Sequence, residues 1–188
     1  MSGGPHNALG QSYAFLAITP IVAGHEIALR AHLRGLPRGE GSPLARVPRT
    51  HFGRWVIMPQ PAFQGSPMHP DPFKSQYLFF SACFDGDLPS YLDDLCTLIP
   101  DEADAIWGHC AGYPTGGTRD RAAFARYLTH NQVDTEVYFA AYPQATVAKV
   151  RESLALRDQV LKFTVEAQGL DDAELQRRWQ EAFGAGAR

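Results

Sequence analysis

Cysteine is scarce in this chain, charge of one sign is nowhere concentrated, and no long hydrophobic run occurs. Each shortage excludes something. Cys83, Cys96 and Cys110 are an odd number of cysteines at wide spacing in 188 residues. They suit neither a disulfide framework nor a paired-cysteine metal site, so three reduced, mostly buried thiols are expected. A formal net charge of -3 without a cluster of Lys and Arg argues against a non-specific nucleic-acid binder. No stretch approaches the roughly 20 apolar residues of a membrane helix. The opening MSGGPHNALGQSY has neither the basic start nor the apolar core of a signal peptide, so a cytoplasmic location is expected. There is no HExxH, P-loop, GxSxG or spaced Cys/His set, which removes the sharpest signals for zinc-protease, nucleotide-binding and hydrolase chemistry.

What is present is an ordinary globular composition, 45% hydrophobic and 20% charged, in a chain long enough for one domain with a real core. The most informative stretch is residues 76–99, QYLFFSACFDGDLPSYLDDLCTLI. Tyr77, Leu78, Phe79, Phe80, Ala82 and Phe84 form an aromatic-rich strand with both faces at least partly covered. Asp85-Gly86-Asp87 turns the chain, because Gly supplies a positive φ and the aspartates can bind nearby N–H groups. Ser90 and Asp93 then have capping-box spacing ahead of Leu92, Leu95, Cys96 and Ile99, which fall at helical intervals.

Along the chain, residues 1–12 are expected to be flexible and YAFLAI at 13–18 to be the first strand. HEIALRAHLRGL then reads as a helix with Ile27, Leu29, Leu33 and Leu36 on one face. HFGRWVIM at 51–58 reads as a strand covered on both sides, and the Pro-rich residues 59–76 as a long loop or lid. After the strand–turn–helix unit, residues 101–108 continue or restart the helix. A Gly-rich loop, CAGYPTGGT, leads to a helix over 119–130. EVYFAAY at 136–142 is expected as the fourth strand, and two helices, 146–168 and 172–183, close the chain.

Without the inserted helix and the C-terminal pair, this order is βαββαβ. The predicted class is therefore α+β, a ferredoxin-like antiparallel sheet with helices on one face, an inserted helix and a C-terminal helical extension. The expected division is a flexible stretch over 1–12, a ferredoxin-like domain over 13–169 and the extension over 170–188. Helices on one face would leave the other, apolar face bare. Two sheets meeting in a homodimer would cover it and enclose a small-molecule pocket.

Candidate chemistry rests on few residues. On a regular strand His51 and Arg54 point to opposite faces, so only one could face the pocket. Arg54 among aromatics needs a carboxylate, and Asp85 is its expected partner, either as a structural clamp or as a substrate anchor. His109, in WGHCAGYP beside Tyr113, and His130, in YLTHNQ, are candidate acid/base groups or haem ligands, with satisfied loop or helix-end histidines as the plainer alternative. His51, His109 and His130 could hold a metal by residue type, but their separations carry no geometric signal. His25, His32 and His69 read as surface or loop residues.

The segments RTHFGRWVIM, FFSACFDGDLPSYLDDLC, IWGHCAGYP, YLTHNQ and FAAYPQATVAKVRESLALR together resemble a bacterial family of uncharacterised proteins. The likeness spans about residues 13–169. That family is similar to the dimeric α+β barrel, ferredoxin-like superfamily, which includes dye-decolorising peroxidases, chlorite-dismutase-like haem proteins and cofactor-independent antibiotic-biosynthesis monooxygenases. The resemblance implies the fold and transfers no catalytic residue. Combined with the histidines, it leads to the expectation of a small-molecule oxidoreductase with an apolar pocket between sheet and helices. In that reading haem is the cofactor, His130, His109 and Tyr113 line its site, and His51, Arg54 and Asp85 serve the reaction. A cofactor-free enzyme or binder of an apolar metabolite with His51 as base is the alternative, and a non-catalytic dimeric module is a third.

Overall fold

Alternation along two long strands builds the molecule. In the computed structural model, which describes residues 6–58, 65–66 and 75–184, every second residue of β2 (Ser12–Pro20) and β4 (Tyr77–Asp85) is buried. Tyr13, Phe15 and Ala17 on β2 share a face with Leu78, Phe80, Ala82 and Phe84 on β4, all at 9% exposure or less. Intervening residues such as Leu16, Phe79 and Ser81 are only half-buried. The pleat thus gives each strand one row against the core and one row on an open face.

The sheet runs in the order β1-β2-β4-β3, with β1 at Ala8–Leu9 and β3 at Thr50–Met58. Every pairing is antiparallel. β2 and β3 therefore run parallel on either side of β4, with α1 (Glu26–Gly35) in the connection between them, which is a split βαβ. The expected mixed α+β class and antiparallel sheet are present. The expected fourth strand is not, because residues 136–142 have no regular pairing. Its place beside β2 is taken by part of the N-terminal stretch expected to be flexible. Ala8 pairs with Tyr13, and the Ala14 N–H donates to Asn7 O at 2.7 Å. Residues 131–133, ahead of that segment, touch β2, with an isolated bridge between Ala17 and Gln132.

α2 (Leu88–Leu98), α3 (Pro100–Trp107) and α4 (Arg121–His130) bury their apolar sides in the same core as the inner rows of β2 and β4. Asp87, not Ser90, caps α2: its carboxylate accepts from the Ser90 N–H at 2.9 Å, so Ser90 sits at the third helical position as a donor. α1 buries Leu29 but leaves Ile27 83% exposed, so its apolar face is narrower than its spacing suggests. Aromatic contact holds the centre. Trp107 is edge-on to Phe80 and Phe124 at 5.2 and 5.7 Å between ring centroids, and Phe84 stacks on Tyr91 at 3.7 Å. Gly53 leaves room above β3 for Leu44, whose Cδ1 would lie 2.4 Å from any added Cβ.

The chain divides into two compact units, Met1–Val147 and Ala148–Arg188. The second is a helical pair formed by α5 (Val147–Glu166, starting at the last residue of the first unit) and α6 (Asp172–Phe183). Gly169, at φ +82°, lies in the turn between them. Phe163 packs on Trp179 and Phe183 at 5.4 Å each. No described helix is long and apolar enough to cross a membrane. The lid expected at residues 59–76, apart from Gly65, Ser66, Ser75 and Gln76, and His69 lie outside the described residues.

Trp107 is fully buried between three other aromatic side chains. Trp107→Ala is expected to lower unfolding free energy by about 3–5 kcal/mol, as truncation of a core aromatic does. Urea denaturation followed by circular dichroism measures the loss.

Candidate functional site

The first candidate site is built on an irregularity in β3. Thr50 pairs with Phe84 and Phe52 pairs with Cys83, so two steps along β3 match one along β4, and His51 is the extra residue of a β-bulge. Thr50 is held on the helix side by hydrogen bonding to the Tyr91 hydroxyl at 3.1 Å. Phe52 shares the open face with Cys83 and is 78% exposed. The bulge breaks the parity on which the opposition of His51 and Arg54 rested. His51 Nε2 lies 2.8 Å from Asp85 Oδ1, and Asp85 ends the open-face row of β4. The expected Arg54–Asp85 pair is therefore replaced by a His51–Asp85 pair.

Asp85 is fixed from a second direction. Its Oδ2 accepts from the Val147 backbone N–H at 2.7 Å. Both members of the pair are largely shielded, with side-chain exposures of 19% and 14%. Nearby, the Ser12 hydroxyl and the Tyr138 phenol lie 2.5 Å apart. Burial raises the Tyr138 pKa, and the neighbouring Cys83 thiol adds to the rise, so the phenol stays protonated across the neutral range.

Arg54 stands opposite Ser81 on the open face and reaches two adjoining hollows. One, of about 420 Å³, is lined by Leu16, Arg54, Val56, Met58, Phe79 and Ser81. The other, of about 440 Å³, is lined by Phe52, Gly53, Arg54, Ser81 and Cys83. Both lie on the open side of the sheet. The helix side, where the apolar pocket was expected, is filled by Phe15, Phe80, Trp107 and their neighbours, each at 2% exposure or less. A cation on a surface of Leu, Val, Met and Phe can anchor an oxygen anion, while the surrounding hydrocarbon favours an apolar body.

The second candidate is the Gly-rich loop, which borders a hollow of about 520 Å³ lined in part by Asp104, Tyr113, Gly117 and Arg119. Its inner donors are already engaged. The Asp104 carboxylate accepts from the Tyr113 hydroxyl at 2.5 Å, the Thr118 N–H at 2.8 Å and the Thr118 hydroxyl at 3.1 Å. Gly117, at φ +55°, lies so close that an added Cβ would meet Asp104 Oδ1 at 2.6 Å. The loop is thus wrapped around an anion belonging to the protein, and Tyr113 serves as a strut of that structure. Burial and the adjacent carboxylate keep its phenol protonated.

His109 and His130 are separate from the open face. His109 Nδ1 lies 3.2 Å from His25 Nδ1, and the Val22 N–H, just beyond β2, donates to His109 O at 2.9 Å. Burial lowers the His109 pKa, and the nearby His25 and His32 lower it further, so the imidazole is neutral at pH 7. His130 is exposed at the end of α4 instead of lying beside the apolar stripe. Neither lines the two hollows of the open face. A haem needs an axial donor beside a large apolar slot. Among the described residues, His109, His130 and Tyr113 do not supply that combination, and no group of three His, Cys, Asp or Glu could hold a metal ion.

Sequence reasoning passed over Ser12, Cys83, Tyr138 and Val147 as neighbours of this site. Cys83 alone carried a signal, since its even spacing from Ser81 and Asp85 puts all three on one strand face. Compared with protein-family models, curated proteins and solved structures, the chain gives no match. The site is therefore read from its geometry.

The thiols provide a check on this burial. Burial pushes the Cys96 pKa up to about 11 and also raises that of Cys110. At pH 8 about one Cys96 in a thousand is thiolate, so iodoacetamide is expected to leave Cys96 and Cys110 unmodified in the folded protein. Intact-mass spectrometry should show at most one adduct per chain, on Cys83, and three after unfolding. A second check concerns the loop: Gly117→Ala is expected to destabilise by about 1–3 kcal/mol, through positive φ and the close approach to Asp104, measured by thermal unfolding.

Proposed function

We propose that the open sheet face binds an extended apolar metabolite bearing an acidic or carbonyl oxygen, and that His51, oriented by Asp85, acts on it as a general base without a haem. The observation that carries this reading is the 2.8 Å His51–Asp85 contact at the end of the sheet face that the helices of the first unit leave open. A carboxylate at this distance sets the imidazole tautomer and stabilises the imidazolium formed on proton uptake. With Nε2 turned to Asp85, Nδ1 is the nitrogen offered to the substrate.

Arg54 supplies the complementary charge. Its partner Ser81 precedes Asp85 by four residues on one strand face, a distance of roughly 13 Å along the strand. An elongated ligand bridges base and guanidinium better than a small acid does. Proton removal next to a carbonyl places negative charge on its oxygen, and a guanidinium is suited to receive it. A deprotonated, electron-rich substrate is also the form that a cofactor-free oxygenation requires, so this site is compatible with the oxidoreductase class. Two copies with their open faces together, in the manner of a dimeric α+β barrel, would exclude water from the hollows and strengthen each of these interactions.

Two measurements test the reading. Anilinonaphthalene sulfonate, an apolar ring system with one anionic group, is expected to bind at one site per chain. Arg54→Gln should weaken it about tenfold, and Val56→Asp should abolish it. Equal binding by all three proteins would show that the face is not the site. For the base, a panel of apolar carbonyl compounds is incubated in D2O and exchange at the acidic C–H is followed by NMR. His51→Ala is expected to slow exchange by about 10²–10⁴-fold. If the unsubstituted protein exchanges none of them faster than His51→Ala does, the role of His51 is refuted.

A further inference from the structure

One segment has the composition of a strand and no sheet. Residues 136–142, EVYFAAY, contain Val137 and three aromatic residues, and Val137, Phe139 and Tyr142 are 86%, 80% and 81% exposed. Among the described residues, no backbone group of 136–141 bonds to another backbone group. The segment is tethered along the β2 side. Before it, the Val133 N–H donates to Leu16 O at 2.8 Å. After it, Pro143 O accepts from the Gln11 N–H at 2.7 Å. Midway, the Tyr138 phenol meets the Ser12 hydroxyl.

The described residues also show the converse feature, an edge without a strand. Among the described residues, β3 ends the sheet on the other side and pairs only with β4. It is nine residues long and contains neither Lys nor Pro, and its bulge is confined to its first residues. Protected edges are usually short, charged with Lys, interrupted by Pro or bulged along their length. The segment cannot fill the edge of its own molecule, because two strand spacings, roughly 10 Å, separate β2 from β3 and both ends of the segment are bonded to the β2 side.

We infer that residues 136–142 are an exchanged strand: each copy of the chain lays this segment along the outer edge of β3 of a second copy, and receives the same segment in return. The arrangement is isologous, as a two-fold dimer requires, and it covers the β3 edge of each copy. Seven residues span about 23 Å, which fits within the nine-residue length of β3. Phe139 on the segment and Phe52 on the receiving strand, each about four-fifths exposed, contribute roughly 240–400 Å² of apolar surface per copy. Val137, on the face of Phe139, and Val56, on the face of Phe52, add to it, and the strand pairing supplies main-chain hydrogen bonds along its length. The exchange does not depend on what the open face binds.

The test is amide hydrogen exchange with mass spectrometry on the full chain, at concentrations spanning the dimer–monomer transition found by sedimentation velocity. Peptides covering 136–142 and β3 are expected to be protected together in the dimer and to lose protection together on dilution. Phe139→Asp, at an exposed position, should raise the dimer dissociation constant at least tenfold without changing the melting temperature of the monomer, and it supplies the monomer if the dimer is too tight to dilute. Four results would overturn the inference. They are a chain that is monomeric throughout, exchange of 136–142 at random-coil rates in the dimer, protection independent of concentration, as cover by a segment of the same chain would give, and unchanged dimerisation in Phe139→Asp. Probe binding at the open face is read separately, so failure of either finding leaves the other standing.

Discussion

The one-sided burial of the antiparallel sheet is the constraint on which the rest depends. Because successive side chains on a strand point to opposite faces, each strand divides into two rows, and the helices of the first unit pack on only one of them. The inner row joins Trp107, Tyr91 and Phe124 in a dense aromatic core. The outer row supplies the surface on which the proposed chemistry lies. Core packing and the proposed chemistry thus fall to alternate residues of the same strands, and Phe84 and Asp85, adjacent in sequence, belong one to each.

The bulge at His51 gives that surface its polar end. In a regular strand the position of Thr50 opposite Phe84 and that of Phe52 opposite Cys83 could not coexist, since each would demand a different register. The inserted residue resolves the conflict and frees His51 to reach Asp85. A bulge places an extra side chain at a strand end without disturbing the pairing beyond it, and the register from Phe52 to Met58 is indeed uninterrupted. The Gly-rich loop is the opposite case. There glycine, hydroxyl and backbone donors, a combination that commonly receives an exogenous anion, converge on Asp104 and are satisfied within the protein.

Much of the fold was legible in advance. The aromatic run at 77–84, the turn at Asp85-Gly86-Asp87 and the helices on either side of Trp107 and Phe124 stand as their periodicity implied. EVYFAAY was legible as a strand by composition but not as an unpaired one, because composition records the preference of a segment and not the availability of an edge. The edge it would have used is occupied by Asn7–Leu9. In the candidate site, His51, Arg54 and Asp85 were recognisable as reactive residue types on neighbouring strands. Their pairing was not, since parity arguments assume a regular ladder and a bulge leaves no mark in hydropathy.

The chain on its own therefore determined where β2, β3, β4 and the helices lie, which strand rows are apolar, and that the helices would pack on one sheet face. Those features follow from residue spacing and turn chemistry over a few positions. The tertiary structure decided that His51 and not Arg54 meets Asp85, that the N-terminal hairpin takes the edge of β2, and that Asp104 fills its own Gly-rich loop. Each of these is a choice among partners, near or distant in sequence, that compete for one position, and such a competition is settled by geometry that residue spacing alone does not encode.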